Sequence, residues 1–121
     1  MTESDHELLM WAAKAAGYKV KWVDGATPFN YTGFLKEDPH LTHYNDIPVQ
    51  VHWNPLKDSG QALELAVKLG IGVLYSDFTG EAEARWNRGA YRLTEYGPDD
   101  PLAATRRAIV RAAAEIGRSK E

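Results

Sequence analysis

The sequence predicts an α+β fold, an α/β sandwich in which about three helices pack on a sheet of four to five mostly antiparallel strands. Apolar residues recur with a helical period in three segments bounded by capping residues. They alternate with a period of two in four further segments. The most apolar stretch, Trp53–Phe78, runs from a helix straight into a strand and is the expected centre of the core.

The first helix covers residues 4 to 16. Ser4 and Glu7 have capping-box spacing, and Leu8, Leu9, Trp11, Ala12, Ala13, Ala15 and Ala16 share one arc that ends at Gly17. Its alanines suit close approach to a sheet. From Tyr18 to Val23, Tyr18, Val20 and Trp22 alternate with Lys19 and Lys21, a strand with one wet face. Residues 26 to 46 follow no period and form a long loop, expected to lap over the core with a short strand or helical turn inside it. Ile47–Trp53 alternates again, with Pro48 marking a strand start or an edge.

The next helix enters through Asn54-Pro55, is capped by the stretch Lys57-Asp58-Ser59-Gly60 and ends at Gly70. Ala62, Leu63, Leu65, Ala66, Val67 and Leu69 leave a narrow polar strip of Gln61, Glu64 and Lys68, so this is expected to be the most buried helix. Ile71–Phe78 is nearly continuously apolar, as in an interior strand covered on two faces. The helix and its flanking strands are compatible with parallel pairing. Glu81–Trp86 and Tyr91–Tyr96 alternate as a hairpin around Asn87-Arg88-Gly89, with Gly89 at positive φ. The last helix begins at Asp99-Asp100-Pro101, with an acid as N-cap and Pro at the first helical position, and Gly117 is expected to stop it.

The chain of 121 residues makes one domain, long enough to bury roughly two thirds of its unfolded surface. A hydrophobic fraction of 44% and a charged fraction of 26% fit an ordinary soluble protein. No apolar run nears the ~20 residues of a membrane span, and the acidic start MTESDHELLM is not a secretory signal. The absence of cysteine removes disulfides and thiol chemistry and fits an intracellular setting. A net charge of −3 argues against a global grip on nucleic acid, although Arg85, Arg88, Arg92, Arg106, Arg107, Arg111 and Arg118 all fall in the last third.

The segments HWNPLKDSGQALELAVKLGI, EARWNRGAYRL and DPLAATRRAIVRAAAEIG together resemble small bacteriophage proteins of the phage ABA sandwich type, which include the NinX-like proteins. Asp100, Pro101, Leu102 and Ala103, followed by Arg106, Ala108 and Ile109, match that family's closing pattern. The resemblance implies an α-β-α fold and a phage or prophage accessory protein in the host cytoplasm. It carries no catalytic residues with it.

Candidate chemistry is sparse. His40 and His43, near Asp38, Asp46 and His52, have the residue types of a metal site, but an irregular segment does not put both imidazoles on one helix face. Ser59 lies in a helix cap and not in a nucleophile elbow. Gly70 and Gly72 precede a strand, the wrong order for a dinucleotide loop. The hairpin interleaves Arg85, Arg88 and Arg92 with Trp86 and Tyr91, the chemistry that stacks bases and holds phosphates, or else a cross-strand aromatic pair with solvated arginines. Arg106 stands inside the apolar arc of the last helix, snorkelling along the core edge, paired with an acid such as Asp77, or meeting a partner's carboxylate. Phe29, Tyr31, Phe34 and Tyr44, beside Trp22, gather in or near the long loop, and aromatics and arginines are favoured at interfaces.

The expectation is therefore a non-enzymatic protein with no cofactor, metal ligand or membrane contact. Its expected binding surface is Phe29, Tyr31, Phe34, Tyr44, Arg85, Arg88, Arg92 and Arg106. The expected partner is a host or phage protein. A nucleic-acid role for the hairpin and a ligand or metal role for the histidine loop are the rivals, and a homodimer is open.

Overall fold

Helix α1 (Asp5–Ala16) starts where its sequence predicts. The Ser4 hydroxyl accepts the Glu7 N–H at 3.2 Å, and Gly17 closes the helix at φ +74°. The computed structural model describes residues 4–25, 31–42 and 48–120. Strands β1 (Val20–Val23), β2 (Gly33–Thr42) and β3 (Pro48–Trp53) follow, then helix α2 (Ser59–Leu69), strands β4 (Gly72–Ser76), β5 (Glu81–Trp86) and β6 (Tyr91–Tyr96), and helix α3 (Pro101–Ser119). The α+β class and the three helices are as expected. The single sheet is not: the six strands form two antiparallel three-stranded sheets, ordered β1-β2-β3 and β4-β5-β6.

The extra strand is β2, within the segment expected to be a loop. It pairs with β1 through Trp22 opposite Phe34, and with β3 through Phe34 opposite Trp53. Its ladder to β3 shifts between Asp38 and Thr42. That irregularity and the charges in the run hide its period. The strands on either side of α2 belong to different sheets, so no parallel βαβ unit forms.

Small side chains make up much of the core, beside Leu8, Leu9, Phe34, Trp53, Leu65, Ile71, Ile109 and Val110. Ala12, Ala13 and Ala16 of α1, Ala108, Ala112 and Ala113 of α3, and Ala82 and Ala84 of β5 are buried. Helix α3 is the central element, packed against α1, α2 and the β4-β5-β6 sheet. The alanines of α1 therefore serve a helix-helix contact more than a helix-sheet contact. Gly117 belongs to this contact and does not stop the helix, which runs on to Ser119. A Cβ at Gly117 would collide with the Trp11 carbonyl oxygen and lie 3.3 Å from the Ala15 nitrogen. Beyond it, the Lys120 ammonium donates to the Ala15 carbonyl at 2.7 Å.

Helix α2 is less buried than its composition suggests. Ala62, Leu65 and Ala66 face inward, while Leu63 is 60% and Val67 75% exposed. Its N-cap is Asp58, which accepts the Gln61 N–H at 2.9 Å, so Ser59 is the first helical residue and not the cap. Gln61 then ties α2 to the end of β3, accepting the Asn54 N–H at 2.6 Å and donating to the His52 carbonyl at 2.7 Å. Strand β4 lies at a sheet edge, not in an interior, with Val73 and Leu74 exposed. Asp100 caps α3 by accepting the Ala103 N–H at 3.1 Å, with Pro101 in the first turn as expected.

The β1-β2-β3 sheet is joined to the helices by ring contacts. His6 of α1 stacks on Phe34 at 5.1 Å and meets the Trp22 ring edge-on at 4.4 Å. Tyr18 meets Trp53 edge-on at 5.9 Å, and the Lys36 and Lys68 ammonium groups lie over the Tyr18 ring at 4.4 and 4.6 Å. Burial pushes the Tyr18 phenol above its ordinary value, and the Glu64 carboxylate adds to that rise. No helix among the described residues is long and apolar enough to cross a membrane.

Gly117→Ala tests this approach of α3 to α1. Alanine in place of glycine gains up to about 1 kcal/mol of helix propensity. The new methyl, however, meets backbone that only a shift of α1 can clear, and overpacking of this kind costs about 1–3 kcal/mol or more. Urea denaturation is expected to show net destabilisation of roughly 2 kcal/mol, whereas a glycine that merely ended the helix would give stabilisation.

Candidate functional site

Strand alternation decides where the expected surface residues go. In the β4-β5-β6 sheet, Ala82, Ala84 and Trp86 lie on the face toward α3, with Tyr91, Leu93 and Glu95 as their cross-strand neighbours. Arg85 and Arg92 pair on the opposite face, where Glu83 lies beside Arg85 and within 4.0 Å of Arg92. Trp86 and Tyr91 form a stacked cross-strand pair with centroids 5.8 Å apart. Trp86 and Tyr91 thus turn toward α3 and Arg85 toward the opposite face, while Arg92, across from Arg85, also borders the concavity that Trp86 and Tyr91 line. Arg88 sits in the turn at φ +57°, after Asn87 at +55° and before Gly89 at +83°.

Arg106 is committed within the fold. Its Nε donates to the Leu56 carbonyl at 2.8 Å and its Nη1 to the Ser59 hydroxyl at 3.0 Å, pinning α3 to the entry of α2. Hydrogen bonds from a charged donor contribute about 1.5–3 kcal/mol each, more than an exposed ion pair. The acid Asp77 is not among its bonded partners.

The aromatic loop also resolves into structure where it is described. Phe34 is buried between His6, Trp22 and Trp53. Tyr31 stacks flat on His52 at 3.8 Å, and its hydroxyl donates to the Phe34 carbonyl at 2.9 Å. Burial raises the Tyr31 phenol above its ordinary value against a backbone hydrogen bond at Trp53 that lowers it. Phe29 and Tyr44 lie outside the described residues, as do His43, Asp46 and the side chains of Asp38 and His40. No group of three or more His, Asp or Glu side chains among the described residues could hold a metal ion.

Among the described residues a concavity forms that the sequence did not mark as a site. A groove of about 920 Å³ runs between α1, α3 and the β5-β6 hairpin. Leu8, Trp86, Tyr91 and Leu93 supply its apolar lining, and Arg107, Arg111, Glu115 and Arg118 descend one side of α3. Glu95, largely covered, is the hinge of its charges. It holds Arg111 in an ion pair and lies 3.9 Å from Arg107, which also bonds Asp5 of α1 at 3.1 Å. Arg111 donates in addition to the Thr94 carbonyl at 3.2 Å, and Arg118 pairs with Glu115. The sequence places Arg107, Arg111 and Arg118 on the wet side of α3. Helical spacing from Arg107 through Arg118 gives a signal of a charged stripe, but not that β6 and α1 wall it in.

This arrangement offers anion recognition above an apolar floor. Guanidinium groups held by Glu95 and Asp5 keep donors to spare, because each arginine has five N–H groups. A carboxylate or phosphate entering the groove meets fixed donors, with Trp86 and Tyr91 beside them.

The turn gives a control for any binding measurement. Arg88→Val puts a β-branched residue at φ +57° and is expected to cost about 1–2 kcal/mol, while Arg88→Gly stays within about 0.5 kcal/mol of the parent in urea titrations. A loss of stability in Arg88→Gly equal to that in Arg88→Val would show that the arginine side chain, and not the backbone, holds this turn.

Comparison of the chain with protein-family models, with curated proteins and with solved structures returns no match.

Proposed function

We propose that this chain is a non-enzymatic phage or prophage accessory protein acting in the host cytoplasm. Its partner is a host or phage protein that presents an acidic segment to the groove between α1, α3 and β6. The phage setting rests on the resemblance carried by residues such as Asp100, Pro101, Leu102 and Ala103. The binding role rests on one observation, the arginine-walled groove with an aromatic floor. Its mixed lining suits a peptide carrying an aromatic or leucine side chain next to Asp or Glu. The apolar side chain provides area, and the acid provides orientation against Arg111 and Arg118.

Peptide display against the immobilised intact chain tests this reading. Enriched sequences are expected to place Asp or Glu within two or three positions of an aromatic or leucine. Their affinity is expected to fall at least tenfold in the double variant Tyr91→Ser, Arg118→Glu, with the far-ultraviolet spectrum and thermal midpoint of the parent retained. Enrichment without acids, or binding unaffected by that variant, counts against the groove. Retention of DNA or RNA with a steep salt dependence would favour the nucleic-acid reading instead.

A further inference from the structure

The four edge strands of the two sheets are not equally protected. Strand β1 carries Lys21, β3 begins at Pro48, and β6 carries Arg92 and Glu95. Charges and proline are the ordinary means of keeping an edge from pairing with another strand. Strand β4, Gly72-Val73-Leu74-Tyr75-Ser76, has neither. Its partner β5 covers one edge only, so the other presents unpaired backbone N–H and C=O groups in a run of high β-propensity.

The apolar surface around this edge is also arranged for a copy of itself. Gln61 and Lys68 face the β1-β2-β3 sheet, so Leu63 and Val67 project from the other flank of α2, the helix that leads into β4 through Gly70 and Ile71. Phe78, in the turn that follows β4, is 94% exposed. Leu74, at the middle of the strand, is 63% exposed.

We propose that two copies of this chain pair antiparallel through β4, joining their β4-β5-β6 sheets into one of six strands. A two-fold axis at Leu74 sets Val73 across from the second copy's Tyr75, and Gly72 across from its Ser76. The same register carries the turn holding Phe78 over the point where the second copy's α2 enters its β4, beside that helix's exposed Val67. The most exposed large apolar side chains of the region thus find each other without any change of fold, and no like charges on the strand oppose the pairing. Leu63, Val67, Val73, Leu74 and Phe78 together expose on the order of 600 Å² of apolar surface, against about 800 Å² per partner in a standard interface. Closure about a two-fold also removes the one unguarded edge. This inference is independent of the groove, which lies against the opposite edge strand of the same sheet.

Sedimentation velocity of the full chain from about 1 to 200 µM tests it. The expected species at the upper end is a dimer of twice 13.5 kDa. Leu74→Lys is expected to raise the dimer dissociation constant at least tenfold while leaving circular dichroism and the thermal midpoint unchanged, and Phe78→Asp to do so in part. Amide exchange of Val73–Tyr75 is expected to slow as concentration rises. A parent chain that stays monomeric at 200 µM overturns the proposal, as does a dimer unaffected by Leu74→Lys and Phe78→Asp. The groove variant Tyr91→Ser, Arg118→Glu is expected to dimerise like the parent, so peptide binding and self-association succeed or fail separately.

Discussion

At Gly117 helix α3 runs against the backbone of α1 with no room for a Cβ, the tightest approach at any of the described glycines. Much of the remaining architecture depends on that spacing. Two helices this close need small residues where they meet: Ala15 of α1 stands at Gly117, and Ala113 and Ala114, one turn back on the same side of α3, are buried. A seam of small residues contributes little burial per side chain, so stability has to come from many contacts packed closely, not from a few large ones. Larger side chains are buried as well: Leu65 and Val110 are wholly covered, and Trp53 and Phe34 of the β1-β2-β3 sheet are only 2% and 4% exposed.

Placing α3 at the centre also creates the groove. Its inner face is filled by α1 and by Ala82 and Ala84 of β5, so the charged stripe from Arg107 to Arg118 is left along the gap between α1 and β6. Glu95, one of the residues on the inward face of β6, reaches Arg111 and comes near Arg107. Exposed ion pairs contribute about 0–1 kcal/mol. The network at Glu95 is therefore better understood as fixing the positions of the guanidinium groups than as holding the helix to the sheet. Preorganised donors of this kind reduce the ordering cost of binding.

The sequence made some of this legible and concealed the rest for identifiable reasons. Helix starts at Ser4 and Asp100-Pro101, the C-terminal glycines Gly17 and Gly70, and the hairpin around Gly89 were readable, because capping and turn chemistry are local. Strand β2 was not, because its charges and shifted ladder erase the alternation. The apolar run of β4 suggested an interior strand, since hydrophobicity does not distinguish a strand inside a sheet from one at its edge. Gly117 has the same letter whether it ends a helix or admits a neighbour. Of the expected surface residues, Phe34 and Arg106 proved to be tied into the fold, and Arg85 and Arg92 lie on the outer sheet face beside Glu83. The groove arginines were visible as a stripe, but what stands opposite a stripe is tertiary information.

Native-state amide hydrogen exchange tests most directly the claim that the α1–α3 seam is the constraint on which the fold depends. If it is, the central amides of α1 and α3, for example those of Ala12, Ala13, Ala112 and Ala113, exchange only through global unfolding, with a shared opening free energy equal to that from denaturation. If α1 instead opens well below that value while α3 and the β4-β5-β6 sheet stay protected, the first helix is an accessory to the fold and the account is wrong.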